Sequence, residues 1–176
     1  MTQVLAKITE ALSTTILFDS PTKELTFLAM CSTFTLRPFH ILMRADASVG
    51  KSWIALECSK YFPATQIRKL DYASPTALLH KISRPDKDVK GLRYIDMANM
   101  ILIFKDMPHV QALDRMRTVL SRDEENATFE ITQSLGHGLH RTETIKMLGV
   151  PAIIFCSANC RVDEQLATRV VMLSPS

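Results

Sequence analysis

Long apolar runs are missing from this sequence. No stretch reaches the ~18 residues that a membrane-spanning helix needs, and the opening Met1-Thr2-Gln3-Val4-Leu5-Ala6-Lys7 lacks the extended apolar region of a secretory leader. A cytoplasmic location with no membrane partner is the expectation that remains. Cysteine is scarce and unpatterned. Cys31, Cys58, Cys156 and Cys160 form no C-x-x-C pair, which argues against zinc. The first three sit in apolar runs, as small core residues in a reducing compartment do. A dominant charge is missing as well: the net charge of +3 is too mild to argue globally for nucleic acid, which would need a local patch. Repeats and low-complexity segments are absent. The remainder, 176 residues with 47% hydrophobic and 22% charged, can bury one α/β core.

Periodicity orders that core. Val4, Leu5, Ile8, Leu12 and Ile16 have helical spacing over 2–18, and Pro21 after Ser20 opens a second helix. His40–Arg44 reads as a strand, 52–61 as a helix stopped by Pro63, and Ile67–Ala73 as a second strand. Ser74-Pro75 starts a helix over 75–82, and 83–91 is a charged loop. Met100–Phe104 and Pro151–Cys156 are wholly apolar, as strands buried on both faces are. Between them lie an amphipathic helix, Val110–Ser121, and two alternating segments, Thr128–Thr132 and Thr142–Met147. These flank Gly136-His137-Gly138 as a hairpin would. A short helix over 163–168 and a strand over 170–173 follow. Strands alternating with helices imply a mainly parallel sheet.

Chemistry enters at Ala45-Asp46-Ala47-Ser48-Val49-Gly50-Lys51-Ser52, which joins the first strand to the next helix and leads into Trp53. The phosphate-binding loop reads G-x-x-x-x-G-K-[ST], with Ala45 here in place of the first glycine. In such a loop backbone N–H groups and the helix N-terminus hold phosphates. Lys51 would neutralise the β- and γ-phosphates, and Ser52 would ligate Mg²⁺. Ala45 fits if its φ is negative, and Asp46 fits if it points outward. The plain alternative is a turn before a helix that contains Gly-Lys-Ser.

A phosphate-loop ATPase also needs an acid at the end of a second buried strand. Met100-Ile101-Leu102-Ile103-Phe104-Lys105-Asp106 is the candidate. Either Lys105 stands at the first acid position and Asp106 at the second, or Asp106 is first and Met107 replaces the second; one acid remains in both. The strand ending Cys156-Ser157-Ala158-Asn159 offers Asn159, then Ser157, to sense the γ-phosphate. Asp163-Glu164-Gln165-Leu166-Ala167-Thr168-Arg169 brings an arginine to the edge of the last strand. Taken singly, Asp106 and Arg169 read as surface charges and Asn159 as a turn residue.

In this order the motifs resemble the AAA+ ATPase core, over roughly residues 35–175. The resemblance implies a P-loop NTPase three-layer α/β/α fold with a five-stranded sheet ordered 5-1-4-3-2. It implies ATP with Mg²⁺ at residues 45–53, Lys51 and Ser52 as Walker A, Asp106 as the Walker B acid, Asn159 as sensor 1 and Arg169 as an arginine finger. It also implies a homo-oligomeric ring, a hexamer by analogy. Ala45 and Lys105 depart from the pattern. The helical lid that usually follows is not within these residues, so the expectation is a domain cut from a longer protein or a minimal member. The domain expectation is an N-terminal helical segment, 1–37, before the core, 38–176.

The hairpin before the sensor strand resembles that of helicase-type members: viral superfamily 3, MCM-like and mobile-element replication ATPases. There it points into the ring channel and touches DNA. On that resemblance His137, His140, Arg141 and Lys146 would contact phosphates, without reading sequence. A solvated hairpin with incidental histidines is the alternative. The functional expectation is the ATPase core of a DNA-replication or helicase-like motor. The rival readings are a nucleotide-gated loader or initiator with little hydrolysis, and a small-molecule kinase, for which no lid segment is evident.

Overall fold

A computed structural model describes residues 2–71, 83–108, 113, 119–120, 126–134, 140–158 and 164–175, with backbone alone at 2, 131–134, 140 and 141. In chain order the elements are α1 (Thr2–Ser13), α2 (Ser20–Ser32), β1 (His40–Arg44), α3 (Lys51–Ser59), β2 (Ile67–Leu70), β3 (Arg84–Pro85), β4 (Leu92–Asp96), β5 (Ile101–Phe104), β6 (Asn126–Ser134), β7 (His140–Leu148), β8 (Ala152–Ser157), α4 (Glu164–Ala167) and β9 (Val170–Leu173). The expected helix over 75–82 lies outside the described residues, as does most of that over 110–121. The chain divides into two compact units. Met1–Tyr72, Asn99–Met107 and Pro151–Ser176 form the first; Ala73–Ala98 and Pro108–Val150 form the second.

The first unit is α/β, with helices on a wholly parallel five-stranded sheet ordered β2-β5-β8-β1-β9. Numbering its strands one to five along the chain, the order is 5-1-4-3-2. β5 and β8 are buried along their whole length, which explains their unbroken apolar sequence. Alternation sends Ile41, Met43, Ile101, Ile103, Ile154 and Cys156 to one face, where they share a core with Leu12, Ile16, Phe27, Met30, Ile54 and Cys58. Each such burial contributes roughly 1.5–3 kcal/mol. The other face buries Leu42, Leu102 and Phe104, and the rings of Phe104 and Phe155 stack with centroids 5.2 Å apart.

The N-terminal helices belong to this core. The first stretch of the unit runs from Met1 to Tyr72 and takes in α1 and α2. α1 turns inward at Leu5, Ile8 and Leu12, while Val4, in the expected stripe, faces solvent. Asp19 caps α2 by accepting from the Thr22 backbone N–H at 3.2 Å. Lys23 is fully buried. Its Nζ donates to Ser13 Oγ at 2.8 Å and to the Ile16 carbonyl at 2.9 Å, so the C-terminal end of α1 receives a cation where the helix dipole favours one.

The second unit contains a four-stranded sheet ordered β3-β4-β7-β6. The hairpin is present and longer than its alternating core suggested: β6 and β7 pair antiparallel from Asn126↔Leu148 to Ser134↔His140. β4 runs parallel to β7, with Leu92 opposite Thr144 and Asp96 opposite Leu148. The segment expected to be only a charged loop carries β3, whose Arg84 lies opposite Tyr94. Ile95, Ala127, Ile145 and Met147 are buried on one face. Gly149 has φ +74°, and a Cβ there would lie 2.7 Å from Ala98 Cα, so no other residue fits without movement.

Candidate functional site

The phosphate-loop segment leaves the C-terminal end of β1, the strand flanked by β8 and β9. The ladder runs one step further, through the Ala45 N–H to the Ser157 carbonyl at 3.4 Å. Asp46, Ala47, Ser48 and Val49 are exposed and Gly50 is half-buried. Ser48 has φ +68° and Gly50 φ +88°. Ala45 is not among the positive-φ residues, so its Cβ meets no left-handed strain. That removes the conformational reason for a glycine there. Gly50 is the N-cap of α3 and supplies no side-chain cap. The first-turn N–H groups of α3 therefore have no side-chain oxygen competing from the cap position.

Lys51 occupies the middle of this loop. It is only 8% exposed, and its Nζ donates to the Ala45 carbonyl at 2.8 Å and to the Asp46 carbonyl. The loop is thus wrapped around an ammonium group, with the Asp46 backbone turned inward and the residue itself exposed. Ser52, one residue on, directs Oγ toward the Lys105 carbonyl at 3.5 Å. Lys105 is the residue after β5, and Asp106, exposed, follows it. Trp53 is half-exposed and anchored by Nε1–H to the Thr15 carbonyl at 3.1 Å.

Cys156, fully buried at the C-terminal end of β8, registers the same assembly. Burial pushes its thiol up to about 11, opposed by a hydrogen bond with Ser52 and by the positive charge of Lys51, and reinforced by the negative charge of Asp106. The sequence pattern gives Cys156 as a small core residue, which it is. What that pattern does not announce is the Lys105 carbonyl as the partner of Ser52 Oγ.

The other expected positions divide. Lys105 pairs with Asp71 at 2.5 Å, toward the β2 edge, leaving Asp106 as the acid of this strand end. Ser157 is buried opposite Arg44. Asn159 and His137 lie outside the described residues, and of His140 and Arg141 only the backbone, in β7, is described. Lys146 is exposed on β7. Arg169 is half-buried in the turn after α4. Val170 lies opposite His40, so Arg169 sits just before the start of β1, about 16 Å along the strand from its Arg44 end at 3.3 Å per residue. The fold does not bring Arg169 to the Lys51 end of its own sheet.

The donor set suits a small hard cation sharing its sphere with phosphate oxygens. It offers one hydroxyl and one carboxylate, and no group of three His, Cys, Asp or Glu able to hold a metal occurs among the described residues. Mg²⁺ is typically bound in that way, by few protein ligands plus substrate phosphates and water. Among the described residues no helix is long and apolar enough to cross a membrane. No model of a known protein family matches this chain, and no curated protein matches its sequence.

Proposed function

We propose that this chain is a Mg²⁺-dependent ATP-binding ATPase core of AAA+ type, coupled to DNA in a replication or helicase-like motor. The observation that carries the reading is the enclosed Lys51 ammonium, held by loop carbonyls at the carboxyl end of the interior parallel strand β1. Ligands of open α/β sheets bind at that end of the strands. The 5-1-4-3-2 strand order supports the same reading, since it is the order the motif resemblance implied.

In this mechanism the N–H groups of residues 47–52 and the α3 N-terminus receive the β- and γ-phosphates. Lys51 exchanges the carbonyls of Ala45 and Asp46 for phosphate oxygens. Ser52 and Asp106 hold Mg²⁺, which when bound neutralises developing phosphate charge. Asp106 orients the attacking water. Asn159 senses the γ-phosphate, and Arg169, remote from its own loop, acts on the nucleotide of an adjacent protomer in a ring.

One observation favours slow turnover, as in a nucleotide-gated loader or initiator: Lys105, where a first acid is usual, is engaged with Asp71. The test is a titration of the full chain with Mg·ATP, read by the fluorescence of Trp53, its single tryptophan, together with phosphate release with and without DNA. Binding with DNA-stimulated hydrolysis, the binding weakened and the hydrolysis lost in Lys51→Ala, is the expected result. Tight binding without hydrolysis selects the loader reading. Absence of nucleotide binding overturns both.

A further inference from the structure

The four-stranded sheet of the second unit has a polar face, of which the hairpin resemblance named Lys146 alone. Its register aligns one residue from each strand in a single row. Arg84 of β3 lies opposite Tyr94 of β4, Tyr94 opposite Lys146 of β7, and Lys146 opposite Thr128 of β6. Residues directly opposite share a face, and here the side away from Ile95, Ile145 and Met147 is the accessible one. Arg84, Lys146 and Thr128 are exposed, and Tyr94 is half-exposed. Among the described residues neither Arg84 nor Lys146 has an ion pair. Strands lie 4.7–4.9 Å apart, so the backbone positions of Arg84 and Lys146 stand about 10 Å apart with Tyr94 between them.

We infer that this row is a platform for single-stranded nucleic acid, with Tyr94 stacking a base and Arg84 and Lys146 meeting the phosphates on either side of it. The chemistry selects the occupant. A planar ring between two unpaired cations matches a chain that alternates planar bases with anions, whereas a duplex hides its base faces. Carboxylates flank the row and do not enter it. Glu130 lies one rank to one side, and Asp96, whose carboxylate accepts from the Ala98 N–H at 3.0 Å, one rank to the other. They repel a polyanion from the neighbouring ranks and confine its path to this one. The platform rests on the nucleic-acid half of the proposed function. It moves the principal contacts from the hairpin tip to the sheet face.

The experiment is fluorescence anisotropy of the full chain with labelled oligothymidylate, oligouridylate and a duplex of equal length, each over a range of salt. Tyr94→Ala is expected to weaken single-strand binding by about 10-fold with an unchanged salt slope, and Tyr94→Phe to restore it. Lys146→Gln and Arg84→Gln should each lower the magnitude of the log–log salt slope by about 0.7. The polymer bound more tightly identifies the sugar, and the face variants must weaken that one. If Arg141→Gln abolishes binding while the Tyr94 and Lys146 variants bind as wild type, the platform is overturned and the nucleic-acid reading stands. If wild type binds nucleotide but neither single strand, both fall. Preferred binding of duplex, unaffected by Tyr94→Ala, overturns the platform alone. Thermal melts of every variant separate loss of contact from loss of fold.

Discussion

Replacing Lys51 by methionine keeps the apolar stem and removes the ammonium, and two consequences can be worked from the loop. In the free protein the carbonyls of Ala45 and Asp46 lose a charged donor. A hydrogen bond is worth roughly 1 kcal/mol net. The two therefore cost about 2 kcal/mol, which for a chain of this size lowers Tm by about 4–8 °C. For the complex, an ammonium ~4 Å from a phosphate charge gains about 4 kcal/mol at an effective dielectric of 20. Breaking the two loop contacts returns about 2 kcal/mol of that, leaving about 2 kcal/mol, or roughly 30-fold in Kd. Calorimetric melting measures the first effect, and titration of Trp53 fluorescence with Mg·ATP the second. If Tm falls as stated while Kd changes less than 3-fold, Lys51 is a strut of the loop and the phosphate-site reasoning is refuted.

Other substitutions and conditions test neighbouring parts of the argument. Gly50→Ala meets open space and suffers only from its φ of +88°, so denaturant unfolding should show a loss of about 1 kcal/mol. Gly149→Ala, at φ +74° with its Cβ 2.7 Å from Ala98 Cα, should lose more than about 2 kcal/mol, strain and overpacking together. Ser52→Ala removes the hydroxyl that reaches the Lys105 carbonyl; the Mg²⁺ concentration needed for half-maximal ATP binding should rise several-fold, and Ser52→Thr should restore it. Burial raises Cys58 to about 12 and Cys156 to about 11, so the folded state holds these protons more tightly than the unfolded chain does. Stability is then unaffected below about pH 8, falls as pH rises through the unfolded thiol range near 8.5, and keeps falling toward 11. Glu57 shifts the opposite way, lowered chiefly by its hydrogen bond with Lys60. Its contribution is present above about pH 4.5 and lost below it, which acid titration of the melt will resolve.

The central sheet was legible because burial writes itself into sequence. Ile101–Phe104 and Ala152–Cys156 are unbroken apolar runs, and the Gly50-Lys51-Ser52 turn stands between a strand and a helix. The second sheet was not legible beyond its hairpin. In β4, Leu-Arg-Tyr-Ile-Asp mixes polarity because only Ile95 is fully buried. Its partner β7 is parallel and distant along the chain, so no turn announces the pairing. The N-terminal helices were recognised as helices, but periodicity reports which face is apolar and not what it covers. Their membership of the main core became apparent only through the side chains of Leu12, Phe27 and Met30. At the site, Lys51 was evident from its motif, whereas the approach of Ser52 to the Lys105 carbonyl depends on which strands are neighbours.

The chain's alternation between its two units has a consequence for how the molecule can form and be taken apart. The first unit is drawn from three stretches of sequence and the second from two. No single cut isolates either one, so excising the second unit leaves Asn99–Met107 of the first without its connections on both sides. β4 finds its partner β7 only after β5 has been made for the first unit and the long connection to β6 has followed. Such non-local parallel pairing is slow to form, because loop closure precedes the contacts that reward it. During synthesis the apolar edge of β5 emerges well before β8, the strand that covers it. The nascent chain therefore leaves an apolar strand edge uncovered for the time taken to translate nearly fifty residues.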